Sequence, residues 1–289
     1  MTIGQQHHGT ALITGANNGI GLELTRKMLA EGWQIIALIR SGFTTDDPLI
    51  TGAVASRQLR IYKADLSDFN ALSHALDEIK SKEQKLDILF NNAGGSFPEL
   101  KNSKQGREMH FDLQTVAPYI ITMELKALLQ KGQLKTVVNT SSNAFMTMKQ
   151  FNPDTLEHPT EFKKLFGPYA ASKLALSLWT LELAPQLAAE GIMLRSADPG
   201  GNNTIRSGKK SGLPFWLKPV IKLFFPHPSH GANLLYNAAL GQNSNLPGVF
   251  LVKDQVTGLK FAAHSSKVLS KVQAIYEQEF AAAESMHTS

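Results

Sequence analysis

Apolar positions along the chain follow two periods. Short apolar runs, typical of buried strands, alternate with longer segments whose apolar residues recur every three or four positions, as on one face of a helix. The runs predict seven strands: Thr10–Thr14, Gln34–Ile39, Gln58–Lys63, Leu86–Asn91, Leu134–Asn139, Ile192–Ser196 and Gly248–Val252. The helical pattern covers Asn18–Glu31, Phe69–Lys80, Ser103–Lys131, Pro168–Ala189, Pro228–Leu240 and Val268–Ala283. Apolar strands alternating with helices predict an α/β fold, a doubly wound parallel sheet with helices on both faces.

Two segments interrupt this alternation and are predicted to flank one site. Residues Phe145–Gly167 form a long connection before the helix that begins at Pro168. Residues 205–228 combine aromatic and aliphatic side chains with four prolines, which predicts a substrate lid. Plain core packing and an amphipathic helix at a membrane surface are the alternatives for that segment. We predict a single domain over residues 1–289, with a C-terminal extension at about 253–289 that covers the sheet edge.

Composition narrows the class of function. The formal net charge is +5, but the lysines and arginines are scattered, which argues against nucleic-acid binding. The chain has no cysteine, which excludes disulfides and thiolate metal sites and is compatible with a reducing compartment. The N-terminal residues lack a secretion-signal pattern, and no apolar run approaches the ~20 residues of a spanning helix. We therefore expect a cytoplasmic protein. We also expect no metal, because four histidines lack metal-ligand spacing and should lie in solvent, at helix caps or at pocket rims: His110, His158, His227 and His230.

A glycine-rich turn joins the first strand to the first helix. Gly15 permits a tight turn, Gly19 lets the backbone approach a phosphate, and Gly21 allows the helix to pack closely. The start of the helix then offers free N–H groups and the positive end of its dipole to a pyrophosphate. The sequence therefore predicts a dinucleotide-binding domain, whose turn also contains Asn17, Asn18 and Ile20.

Tyr169 and Lys173 carry the candidate chemistry. Four residues apart on a helix, they share one face. A tyrosine has a pKa of about 10, and a neighbouring ammonium favours the phenolate and brings that pKa toward neutrality. Taken alone, such a pair is also common on a solvated helix surface.

The order of these motifs resembles the short-chain dehydrogenase/reductase family, whose fold is the Rossmann fold. The resemblance rests on the glycine turn, on Asn91-Asn92-Ala93-Gly94, on Ser141-Ser142 and on Tyr169-x-x-x-Lys173, and it covers residues 9–252. Residues 169–175 and 181–184 are similar to the retinol dehydrogenase and WW-domain oxidoreductase branch.

The resemblance implies an acid–base site. Tyr169 would protonate a carbonyl oxygen, Lys173 would bind the nicotinamide ribose, and Ser142 would hold the carbonyl oxygen, with Ser141 as the competing serine. Gln114 stands where the family has an asparagine that organises a proton-relaying water. The implied function is hydride transfer between a nicotinamide cofactor and an apolar aldehyde, ketone or alcohol.

The same resemblance assigns the cofactor contacts. Arg40 and Ser41 end the second strand without an acidic residue, which favours NADP(H) over NAD(H), because a guanidinium pairs with a 2′-phosphate. Asp65 and Leu66 would contact the adenine, and Asn91 would line the cleft. The remaining predicted contacts are Asn92, Ala93, Gly94, Pro199, Gly200 and Thr204.

Several alternatives remain at this point. A non-catalytic NADP(H) sensor is supported by Gln114, and a nucleotide-sugar epimerase or dehydratase would need more residues after Ser196 than the chain has. Asn202 replaces an apolar residue of the family loop. Many family members dimerise through two helices that correspond to Ser103–Lys131 and Pro168–Ala189. The resemblance thus implies a homodimer, unless Pro185 kinks or shortens the second helix.

Overall fold

One sheet of eight strands organises the protein. The computed structural model describes residues 9–202 and 226–282. The strands are β1 (Thr10–Thr14), β2 (Gln34–Ile39), β3 (Leu59–Lys63), β4 (Ile88–Asn91), β5 (Thr136–Thr140), β6 (Met193–Asp198), β7 (Phe250–Val252) and β8 (Gln255–Thr257). Their order is β3-β2-β1-β4-β5-β6-β7-β8, and every pair is parallel except β7 with β8. The predicted doubly wound sheet is confirmed, with one short strand more than expected.

Helices cover both faces of this sheet. They are α1 (Gly19–Ala30), α2 (Pro48–Ala55), α3 (Phe69–Lys82), α4 (Met109–Phe111), α5 (Ala117–Glu124), α6 (Lys126–Gln130), α7 (Pro168–Ala189), α8 (Pro228–Leu240) and α9 (Ser265–Ile275). Strand side chains alternate between two apolar cores: Ala11 and Ile13 face α1, α2 and α8, whereas Leu12 faces α3, α5, α7 and α9. Both faces are therefore buried, as apolar parallel strands require.

The predicted helix Ser103–Lys131 is wrong in extent and regularity. Helical structure begins only at Met109, because Glu108 accepts a hydrogen bond from the Phe111 N–H at 2.9 Å and so caps the first turn. A π-helical stretch, Asp112–Val116, then separates α4 from α5. Such wide turns are frequent at functional sites.

The C-terminal helix lies on α7 and not, as predicted, over the sheet edge. Val268 and Val272 of α9 are fully buried in the core cluster that contains α7, and strand β8 forms the edge of the sheet. A second π-helical stretch, Tyr276–Ala281, continues from α9. Pro185 is exposed and does not shorten α7, which continues to Ala189.

The strand order places a crevice between β1 and β4. Successive strands run outward from β1 to β3 in one direction and from β4 onward in the other. In open parallel sheets, ligands bind beyond the carboxyl ends of the strands at this reversal point. The loops that follow β1 and β4 therefore border the crevice in which a ligand is expected.

Candidate active site

The glycine turn after β1 has the geometry of a phosphate cradle. Gly15 has φ 67°, a left-handed conformation that other residues rarely adopt, and its N–H donates to the Leu38 carbonyl at 3.0 Å. A Cβ on Gly21 would collide with the Gly15 carbonyl oxygen and with the Asn92 amide at 2.6 Å, so only glycine lets α1 approach the turn. Asn18 precedes α1 without capping it through its side chain, which leaves the first N–H groups to a ligand.

Thr14 joins this turn to the loop after β4. Its hydroxyl accepts hydrogen bonds from the backbone N–H groups of Asn92 and Ala93, both at 2.9 Å, and the Asn92 side chain donates to the Thr14 carbonyl at 3.0 Å. The two predicted cofactor loops are thus held together at the reversal point. Asn91 does not line the cleft as expected: its side chain is buried and donates to Asn139 Oδ1 at 2.8 Å.

A polar cluster lies at the end of β2. The Arg40 side chain is 76% exposed, and its Nη1 lies 3.6 Å from Asp65 Oδ2. Asn17 donates to the Ser41 carbonyl at 2.7 Å, which brings the glycine turn against the same corner. An exposed ion pair at this distance contributes little, so the guanidinium is available to a ligand.

Of the two predicted adenine contacts after β3, Asp65 lies beside Arg40 and Leu66 lies in the core. Asp65 Oδ1 accepts a hydrogen bond from the Ser67 hydroxyl at 2.7 Å, and Leu66 is buried in the apolar core. The next helix, α3, is capped by Asp68, which accepts from the Ala71 N–H at 3.3 Å. Asp65 therefore keeps its second oxygen for Arg40.

Tyr169, Ser142 and Lys173 meet beyond the carboxyl ends of β5 and β6. The Ser142 side chain lies beside the Tyr169 hydroxyl and lowers its pKa. Lys173 is 4% exposed, and its ammonium donates to the Thr140 carbonyl at 2.6 Å. Ser142 also accepts from the Ala144 N–H at 3.2 Å, which caps the short 3₁₀ helix Asn143–Thr147 and fixes the serine.

Burial dominates the electrostatics of this group. It raises the pKa of Tyr169, against the Ser142 hydrogen bond, which lowers it. It lowers the pKa of Lys173 to about 7, against the charge of Asp198, which raises it. Protein groups alone thus shift the pKa of Tyr169 in the direction opposite to the predicted one, because burial of the phenol outweighs the effect of Ser142 and the charge of Asp198 also raises that pKa.

Ser141 has a structural position. Its hydroxyl lies 2.6 Å from that of Ser177 and donates to the Lys173 carbonyl at 3.2 Å, so it faces α7 and not the tyrosine. Of the two candidate serines, the structure brings only Ser142 to Tyr169.

Gln114 lies in the π-helical stretch, and only the oxygen of its side-chain amide is hydrogen-bonded. Its Oε1 accepts from the Gly95 N–H at 3.1 Å, and its side chain packs against Gly94. Its buried Nε2 has no hydrogen-bond partner among the residues that the structure describes. A buried donor of this kind is normally satisfied by an ordered water or a ligand.

The loop after β6 is only partly described. Pro199 and Gly200 follow Asp198 at the carboxyl end of the strand, and Asn202 is buried. The Asn202 amide donates to the carbonyls of Pro199 and Gly200, both at 2.8 Å, and accepts from the Gly231 N–H at 3.0 Å, which ties the loop to α8. Thr204 and almost all of the predicted lid, 205–228, lie outside the described residues.

Sequence reasoning missed a run of buried polar residues. His110 was expected at the surface or at a rim but is fully buried, whereas His158 and His230 are exposed and His227 caps α8. The run consists of Arg107, Glu108, His110 and Asp112, and it precedes the equally buried Gln114, which the resemblance had already identified. Charged residues in a sequence normally indicate exposed surface, so no local signal distinguishes these buried ones.

Asp198 was also missed. It ends β6, is 4% exposed, and has a pKa that burial raises and that the charge of Lys173 lowers. Its position directly before Pro199 is the signal that could have identified it.

Known proteins resemble this chain in sequence and in fold. The profile described as short chain dehydrogenase matches residues 9–153. The chain is 30% identical to retinol dehydrogenase 12 of Mus musculus over 236 residues, 80% of this chain and 73% of the relative. It is 25% identical to the polyprenol dehydrogenase of Danio rerio over 281 residues, 93% and 85% of the two chains. The crystal structure of an uncharacterized protein from Mycobacterium Paratuberculosis superposes with a TM-score of 0.68 at 22% identity, over 95% of both chains. That of a 4-hydroxyisoleucine dehydrogenase complexed with NADH gives 0.64 at 22% identity, over 86% of this chain and 97% of the other.

Proposed function

Because this chain belongs to the short-chain dehydrogenase family, we propose that it is an oxidoreductase that transfers hydride between NADP(H) and an apolar carbonyl compound or the corresponding alcohol. The observation that carries the proposal is that Tyr169 and Ser142 lie together beside the buried Lys173. The nicotinamide supplies or accepts the hydride, which no side chain of the protein can do.

The residues fit a bound dinucleotide. The turn that Gly15 and Gly21 shape, together with the uncapped start of α1, suits a pyrophosphate. Pro199 and Gly200 lie at the same edge of the sheet, where the resemblance assigns them to the nicotinamide end. Lys173 donates to the Thr140 carbonyl and lies one helical turn after Tyr169 on α7, where it would bind ribose hydroxyls.

The protein groups favour Tyr169 as an acid. Burial raises the pKa of Tyr169, so its hydroxyl keeps its proton at neutral pH. A protonated phenol beside Ser142 can donate to the oxygen of a carbonyl substrate, while Ser142 holds that oxygen. We infer that carbonyl reduction is the direction these groups support.

The apolar substrate class draws on the relatives. One is named for retinol and another for polyprenol, both long apolar alcohols. The connection that follows Ser142 contributes the partly buried apolar side chains of Ala144 and Met148.

The decisive experiment replaces Tyr169 by phenylalanine. We expect kcat for NADPH-dependent reduction of apolar aldehydes and ketones to fall by about 10²–10⁴, the usual contribution of general acid–base catalysis. NADPH binding, followed by its fluorescence, should persist because the ring remains. Tyr236→Phe, on the partly exposed Tyr236 of α8, is the matched control. Comparable turnover by the Tyr169 variant would disprove the mechanism, and no turnover by the wild type with any substrate would favour a cofactor sensor.

The cofactor preference rests on Arg40. We expect NADPH to bind more tightly than NADH, because the exposed Arg40 guanidinium and Ser41, at the end of β2, are available to pair with a 2′-phosphate. Arg40→Ala should reduce the ratio of the two dissociation constants by about ten- to a hundredfold, since a charged hydrogen bond contributes about 1.5–3 kcal/mol. Tighter binding of NADH by the wild type would overturn this assignment.

A further inference from the structure

His110 has a fixed protonation pattern inside the protein. Its ring is fully buried, with Nδ1 2.6 Å from Glu108 Oε1 and Nε2 3.0 Å from the backbone nitrogen of Phe97. A backbone N–H can only donate, so Nε2 must offer its lone pair. The proton therefore lies on Nδ1 and is donated to the Glu108 carboxylate.

Glu108 is itself held by the start of the helix. It is 1% exposed, and its second oxygen accepts from the Phe111 N–H at 2.9 Å. The backbone N–H of Glu108 donates to the Glu157 carbonyl at 2.8 Å, in the connection before α7. The imidazole is thus anchored to an immobilised carboxylate.

The other side of the ring touches both halves of the candidate active site. Its centroid is 4.7 Å from that of Phe97, three residues after Gly94 in the predicted cofactor loop. It is 5.9 Å from that of Tyr169, with the two rings edge to face at 78°. Edge-to-face aromatic contacts favour one ring orientation over others.

We propose that His110 is a positioning residue: as the neutral Nδ1–H tautomer, it fixes the loop from Gly94 to Phe97 and the ring of Tyr169 relative to each other. This role rests on the proposed function. It accounts for a fully buried histidine and carboxylate beside the ring of Tyr169.

Three substitutions separate the parts of this role. His110→Asn retains a donor near Glu108 and loses the acceptor for Phe97. His110→Gln places an amide oxygen near the position of Nε2 and restores that acceptor. His110→Phe retains a ring against Tyr169 and loses both hydrogen bonds. His74→Asn, on the exposed His74 of α3, is the matched control.

We expect kcat for NADPH-dependent carbonyl reduction to fall about tenfold in His110→Asn, the equivalent of one hydrogen bond. KM for the carbonyl substrate should change less than kcat, because His110 is assigned no substrate contact. His110→Gln should recover most of the lost rate. An unchanged kcat in the Asn variant, or a change confined to KM, would overturn the proposal.

Nitrogen-15 spectra of histidine-labelled protein test the tautomer without any turnover. We expect the His110 signal, identified by its loss in His110→Gln, to show a protonated Nδ1 and an unprotonated Nε2 at pH 7. A protonated Nε2 would overturn the proposal even in an active enzyme. A wild type that reduces no carbonyl would defeat the proposed function and with it the role of His110, whereas an active wild type with an unaffected Asn variant would defeat the role of His110 alone.

Discussion

The side chain of Lys173 is buried, and burial disfavours the charged form of its amine. Its pKa falls from 10.5 to about 7 on folding, because the group is removed from water and only Asp198 acts in the other direction. Between these pH values the unfolded chain binds a proton that the folded chain does not. The free energy of unfolding therefore increases as the pH rises from about 7 to 10.5, and the penalty for the buried charge is fully present below pH 7.

Lys173→Met should remove this pH dependence. Relative to the wild type, the variant should gain stability at pH 7, and the difference should shrink by on the order of a few kcal/mol toward pH 10. Urea denaturation at intervals of pH without added dinucleotide measures it, with Lys131→Met, on an exposed lysine, as the matched control. A difference in stability that is equal at pH 7 and pH 10 would show that burial does not set the charge of Lys173.

At the scale of elements, the sequence predicted those strands and helices that a regular apolar pattern marks. The strands β1 to β7 were placed within one or two residues at most ends, because apolar runs between helical segments can only be buried strands in a parallel sheet. The helix α2 was missed, although Asp47 caps it and Pro48 occupies its first turn. Its eight residues include Gly52 and show little amphipathic pattern, so only the cap signal was available.

The π-helical stretch Asp112–Val116 could not be predicted, because it depends on partners distant in sequence. Asp112 is buried and binds Arg107 at 2.8 Å, and Arg107 in turn binds both carboxylate oxygens of Glu279, 172 residues away. Thr115 is held by α7, where Trp179 donates to its carbonyl at 3.2 Å. Hydrophobic patterning reports burial of apolar residues and gives no signal for charges that become buried in pairs.

The candidate site, too, was predictable only where local geometry imposes it, and not where it depends on residues distant in sequence. Glycine spacing and the Tyr169–Lys173 pair were visible because backbone geometry and helix periodicity impose them locally. The choice of Ser142 over Ser141, the raised pKa of Tyr169 and the position of His110 all depend on which side chains fold against them. Among residues 9–202 and 226–282, no helix combines the length and apolarity needed to cross a membrane.

At the scale of the whole molecule, the C-terminal helix α9 joins α7 to the connection that precedes it. Glu182 of α7 accepts hydrogen bonds from Ser265 at 2.5 Å and Ser266 at 2.7 Å, at the start of α9. Lys267 pairs with Asp154 at 2.7 Å in the connection before α7. These contacts and the buried valines of α9 cover a face of α7 that could otherwise receive a second copy of the chain.

We therefore predict that two copies do not pair through α7. Light scattering during size-exclusion chromatography should give the mass of one chain, or of an assembly whose chemical cross-links avoid α7. Val272→Asp, which places a charge in the contact between α9 and α7, should expose this apolar face and increase association, whereas Ser270→Asp, on the exposed side of α9, should not. Circular dichroism must show that the Val272 variant retains its helices. Cross-links between the α7 helices of two wild-type chains would contradict this prediction. They would mean that a second chain displaces α9 from α7, and they would support the homodimer that the resemblance implies.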